Sequence, residues 1–179
     1  AHYRAMIVEL LSELTRIILT EGGKGGTGKT ENILSLIAWF LSNDIRPVLL
    51  DFDIENTNKS GLQNFYGDAI KLDVHKEGTL DEFFEICDRE NDGVIVADLG
   101  AGAGAATYNW FNQTFEDAQE LNFQFTAVGV TTNEADAVQS VLKWASHLQD
   151  QVEYLIVLNE MREPNSEFEY WHDEPAVTE

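Results

Sequence analysis

The segment Thr20-Glu21-Gly22-Gly23-Lys24-Gly25-Gly26-Thr27-Gly28-Lys29-Thr30 carries the spacing GxxxxGK[ST], filled by Gly23, Gly28, Lys29 and Thr30. Residues of these types at this spacing can hold a polyphosphate. Backbone N–H groups must reach the phosphate oxygens, so side chains have to be absent where the chain curls, and five of the eight residues from Gly22 to Lys29 are glycine. Gly25, Gly26 and Thr27 complete the cradle; Lys29 is placed to reach the β- and γ-phosphates and the Thr30 hydroxyl to bind Mg²⁺.

Such a loop works between a strand that fixes it and a helix whose N-terminal N–H groups and dipole act on the same anion. The sequence supplies both. Arg16-Ile17-Ile18-Leu19 precedes the loop, and the helical stripe Ile33, Leu36, Ile37, Phe40, Leu41 follows it, which a flexible glycine linker would not have. From there patterning predicts strand 16–21, helix 29–42, strand 47–52, a short strand at 69–74, helix 79–90, strand 93–98, helix 105–120, strand 123–130, helix 134–149 and strand 153–158. Thr79 with Glu82 reads as a capping box for the helix there. Runs such as Val94-Ile95-Val96 and Leu155-Ile156-Val157-Leu158 are apolar throughout, as in a parallel sheet with both faces covered. The expected fold is a doubly wound α/β sheet, mainly parallel, with helices on both faces.

In such a sheet ligands lie at the carboxyl ends of the strands. Two strands end there in acid: Asp51-Phe52-Asp53 closes one, and Asp98 closes another, followed by Gly100, Gly102 and Gly104. An aspartate in that position anchors Mg²⁺ through water.

Composition limits the partners. With 32 acidic and 11 basic residues the formal charge is −21, which argues against direct binding of DNA or anionic lipid by this surface and is explained by solubility, a halophilic source or a locally basic partner. No stretch approaches the ~20 apolar residues of a membrane span. The N-terminus has no signal-peptide layout and Cys87 stands alone, so a cytoplasmic protein is expected. Residues 1–15 read as an amphipathic extension or an expression remnant, 16–160 as one domain, and 161–179 as an acidic tail or the start of further C-terminal elements. The tryptophans fall in helical patterns suited to packing, and the four histidines are too dispersed for a protein-only metal site.

Lys24-Gly25-Gly26-Thr27-Gly28-Lys29-Thr30 resembles the deviant Walker A motif KGGxGK[ST] of the ParA/MinD ATPases, relatives of the nitrogenase iron protein and SIMIBI-like members of the P-loop NTPases. Further motifs follow in family order. Asp51-Phe52-Asp53-Ile54 is similar to the second motif of the MinD type, Val94 to Asp98 with Gly102 resembles the Walker B strand and switch, Val130 to Glu134 resembles a later strand-to-helix step, and Asn159 matches the asparagine that reads adenine. The resemblance implies that Lys24 crosses a dimer interface to the partner's phosphates, that Asp53 orients the attacking water, and that Asp51 supports Mg²⁺ and Thr30. Glu31 stands beside the nucleotide site where relatives often carry Thr or Ser, which predicts slow turnover unless it turns outward.

The resulting expectation is a Mg²⁺-dependent ATPase that dimerises with ATP and positions, partitions or loads a cargo through a protein adaptor, as in plasmid partition or conjugation. Neither a basic DNA-binding surface nor a membrane-anchoring helix is evident. Two other classes compete: a synthase or kinase acting on a small acceptor, and a nucleotide-binding module with negligible turnover. No Asn/Thr-Lys-x-Asp guanine signature is present.

Overall fold

The computed structural model describes residues 14–21, 23–52, 61–90, 93–99, 104–161, 164–165 and 167–178. In chain order the elements are β1 (Thr15–Glu21), α1 (Lys29–Ser42), β2 (Val48–Asp51), β3 (Ile70–Lys71), α2 (Thr79–Arg89), β4 (Val94–Asp98), α3 (Gly104–Glu120), β5 (Phe123–Thr131), α4 (Ala135–Leu148), β6 (Glu153–Leu158), α5 (Glu169–His172) and α6 (Pro175–Thr178). All paired strands are parallel, in the order β3-β2-β4-β1-β5-β6. The strand before the phosphate loop therefore lies in the middle of the sheet, beside the strand that ends in Asp98.

Alternate residues of each strand enter different cores. Ile18, Leu49, Val94, Val96, Val128 and Val130 pack with Ile33, Ile37 and Phe40 of α1. Ile17, Leu19, Ile95, Ala97, Phe125 and Ala127 face a larger aromatic layer built from α2, α3 and the end of α4, with Phe83, Trp110, Phe111 and Trp144 among its members. Helices thus cover both faces, as the apolar strands require. α2 shows why its segment is helical: Phe83, Ile86 and Cys87 are buried at helical spacing while acidic residues cover the outer face. Burial in this layer pushes the Cys87 thiol up to about 12, so it is a packing group.

Two local expectations are corrected. The strand at 69–74 is only Ile70–Lys71. The 79/82 capping box does not form: Gly78 is the N-cap in the left-handed region at φ 84°, and Thr79, one residue further in, donates its hydroxyl to the Asp73 carbonyl at 2.6 Å. A left-handed glycine brings the chain into the helix at an angle that leaves Thr79 facing the preceding turn instead of the N3 amide. Residues 161–179 include α5 and α6, Phe168 is buried there, and Gln139 of α4 donates to Glu174 at 2.8 Å. Trp39 is half exposed on α1, outside the core. The expected N-terminal helix lies outside the described residues. No helix among the described residues is long and apolar enough to cross a membrane.

Candidate functional site

The glycine loop joins the end of β1 to the start of α1 at the carboxyl edge of the sheet. Gly26 at φ 74° and Gly28 at φ 92° occupy the left-handed region, where a side chain is strained. Gly28 is also the N-cap of α1 and has no side-chain cap, so the positive end of the helix dipole faces the loop, a setting that favours an anion. Its missing Cβ is a second requirement, because the amide of Asn159 fills the place a Cβ would take. Gly25 meets nothing within 4 Å at its Cβ position, and Gly23 is exposed.

Thr20, Thr30 and Asp98 converge beneath this loop. Thr20 donates its hydroxyl to Asp98 Oδ1 at 2.9 Å and accepts the Leu99 N–H at 2.9 Å. Thr30 Oγ1 stands 3.4 Å from Asp98 Oδ2. The β1–β4 register, which aligns Leu19 with Ala97, sets Thr20 next to Asp98 on the face that carries α1. Both residues are buried. Thr20 was not singled out by sequence reasoning; its signal was a hydroxyl residue closing an apolar strand. Hydroxyl and carboxylate oxygens form the hard donor set that suits Mg²⁺, so Thr30 and Asp98 fit the ion the motif implies.

Lys29 is buried and donates its ammonium to the Lys24 carbonyl at 2.6 Å, curling the loop over itself. Lys24 is half-buried and turns to α4: its N–H donates to Ser140 Oγ at 2.9 Å and its ammonium pairs with Asp136. This bond holds the Asp136 carboxyl below the usual range. Asn159 at the end of β6 donates to the Thr27 carbonyl at 2.9 Å, accepts the Met161 N–H at 3.1 Å on its Oδ1, and is tied by its own N–H to the Thr131 carbonyl at 2.8 Å. Sequence reasoning paired neither Lys24 with Asp136 and Ser140 nor Asn159 with Thr27.

The remaining candidates are dispersed. Asp51 is aligned with Asp98 across β2 and β4 and is wholly buried, but its Oδ2 accepts the Gln63 N–H at 3.1 Å, lies against Gly61, and pairs with the Lys71 ammonium at 3.8 Å. Its described partners thus belong to the 61–71 segment. Glu31 is exposed, the orientation that avoids repelling an anion. Asp53 and its following loop, like Gly22, Gly100 and Gly102, lie outside the described residues.

On the opposite face of β1, Glu21 is 1% exposed with no hydrogen-bond partner for either oxygen among the described residues, and burial raises its pKa to about 8. It is a protonated acid at neutral pH.

No protein-family model matches the sequence, and no curated protein does either. Solved structures do share the architecture. FlhF complexed with GTP and Mg²⁺ aligns at a TM-score of 0.55 and 16% identity, over 91% of this chain and 65% of that one. This is the P-loop NTPase fold. Chloroplast FtsY from Physcomitrella patens aligns at 0.51 and 12% identity, over 86% of this chain and 57% of that one. The MinC:MinD cell division protein complex of Aquifex aeolicus aligns at 0.50 and 18% identity, over 80% of this chain and 68% of that one. The chain therefore spans between 57% and 68% of the chains it resembles.

Proposed function

We propose that this chain is a Mg²⁺-dependent ATPase switch that dimerises on ATP and acts through a protein adaptor or cargo. The observation that carries the reading is the convergence of Thr30 and Asp98 beneath a glycine loop whose lysine, Lys29, is already turned inward. The helix N-terminus and the loop N–H groups would bind the β- and γ-phosphates, and Lys29 would exchange the Lys24 carbonyl for a phosphate oxygen. Bound Mg²⁺ would supply charge neutralisation on the phosphate oxygens, held by Thr30 with Asp98 behind it. Thr20 holds Asp98 in place by filling one of its oxygens. Asp53 would orient the attacking water, and Asp51, aligned with Asp98 on the neighbouring strand, would support Mg²⁺ and Thr30.

Lys24 gives the reading its switch. Charge developing on the transferred phosphoryl group is stabilised by a second cation, and Lys24 can serve a partner subunit only after leaving Asp136. Release from α4 and dimerisation would thus be one event. The MinC:MinD complex among the similar structures supports action through a protein partner. FlhF is described with GTP and Mg²⁺, which makes guanine the competing base.

Solution mass by light scattering, with Mg²⁺ and ATP, GTP, ADP or a non-hydrolysable ATP analogue, tests the proposal on wild type, Lys24→Ala and Asp53→Ala. A dimer formed with ATP, trapped by Asp53→Ala and abolished by Lys24→Ala is the expected result. A mass indifferent to nucleotide, with ATP still bound, would sink the dimer switch. A dimer formed with GTP alone would reassign the base.

A further inference from the structure

We propose that residues 167–178, which carry α5 and α6, form an autoinhibitory strap: docked on α4, they occupy the surface across which Lys24 must reach a partner subunit. The inference rests on the ATP-dependent dimer proposed above and names what holds that dimer back.

Lys24 lies against the first half of α4, with its N–H on Ser140 Oγ and its ammonium on Asp136. Asp136, Gln139 and Ser140 are spaced three and four residues apart along that helix and so share one of its faces. Gln139, between the two residues that hold Lys24, donates to Glu174 at 2.8 Å across 35 positions. α5 packs against the same helix, and α6 against α5. The strap and the phosphate loop thus meet on one face of α4. A helix with its side chains is about 10 Å across, more than a lysine side chain spans. A second subunit that meets the strap first is therefore held beyond the reach of Lys24. The Glu174 carboxylate also adds negative charge beside Asp136, which helps to retain the Lys24 ammonium.

The strap is built to detach. No residue of α5 is buried, and the apolar anchor is Phe168 at its start, 5% exposed. Its backbone sits in the left-handed region at φ 50°, which strains a bulky residue. Burial of the ring is thus opposed by strain at the same residue, so lifting the strap recovers part of what it gives up. With the strap lifted, Lys24 is retained by a bond to Ser140 and a solvent-exposed ion pair, a weak hold.

The test fastens the strap to its helix in the full chain. Gln139→Cys and Glu174→Cys are combined and joined by a short bis-maleimide, or capped singly with N-ethylmaleimide as the control; the native Cys87 is buried and spared. Solution mass is followed against ATP concentration in the presence of Mg²⁺, and calorimetric titration reads ATP binding itself. The joined chain should bind ATP as tightly as wild type and stay monomeric, while the capped chain dimerises. Gln139→Ala combined with Phe168→Ala should dimerise at an ATP concentration about fivefold lower than wild type or less, and Gln139→Ala alone should shift it in the same direction if the double variant fails to fold. Amide exchange over residues 168–174 should speed up in wild type as the dimer forms. A joined chain that dimerises as readily as the capped one overturns the strap and leaves the dimer standing. ATP binding without dimerisation in every form, the loosened variants included, overturns the dimer and the strap with it.

Discussion

Thr20 and Glu21 are consecutive in β1 and point to opposite faces of the sheet. On the α1 face, Thr20 donates to Asp98 and accepts from Leu99, so a buried hydroxyl and a buried carboxylate are both hydrogen-bonded. On the aromatic face, Glu21 sits against Gly129 with neither oxygen bonded among the described residues, and keeps its proton to about pH 8. One face is organised to hold charge and the other to exclude water. A single strand can carry both environments because its side chains alternate, and the boundary between them is one peptide bond wide.

The most forceful way to break this contrast is Glu21→Gln. The unfolded chain releases the Glu21 proton near 4.5, while the folded protein holds it to about 8, so the folded state binds more protons between those values. Stability from this group is full below 4.5, falls as pH rises to about 8, and is flat beyond. The loss across the window is on the order of 5 kcal/mol. Denaturant titrations at several pH values should show this slope in wild type and lose it in Glu21→Gln.

On the other face, Thr20→Val conserves shape but removes the hydrogen bonds to Asp98 and from the Leu99 N–H, and should cost about 3 kcal/mol of unfolding free energy. Lys29→Ala should leave the fold intact and weaken ATP binding by roughly 30- to 100-fold, equivalent to about 2–3 kcal/mol, as read by calorimetric titration. The smallest stability effect is expected from Asp136→Asn, which removes an exposed ion pair. The denaturation midpoint should not move, yet the ATP-dependent dimer should form at lower ATP concentration because Lys24 is no longer retained.

The loop, its strand and its helix were legible because each signal there is local: glycines, an apolar run, and a stripe at helical spacing. Asp98 was legible for the same reason, as an acid closing an apolar strand. Thr20 gained its meaning only from register, which sets it beside a residue 78 positions away. The grip of α4 on Lys24 spans 112 and 116 positions and leaves no mark in either segment. Glu21 reads as an ordinary strand-end acid until the aromatic layer of three helices closes over it. The Thr79 cap failed because an adjacent glycine in the left-handed region changed the entry of the chain, a choice that spacing alone does not reveal.

The bond from Asn159 to the Thr27 carbonyl, across 132 positions, also sets an order of events during synthesis. The phosphate loop leaves the ribosome 132 positions ahead of the side chain that fills the place beside Gly28. A nascent chain halted before β6 would carry every glycine of the motif and still lack its brace. Because closure over such long separations is slow, the phosphate loop should become rigid only after β6 has taken its place in the sheet.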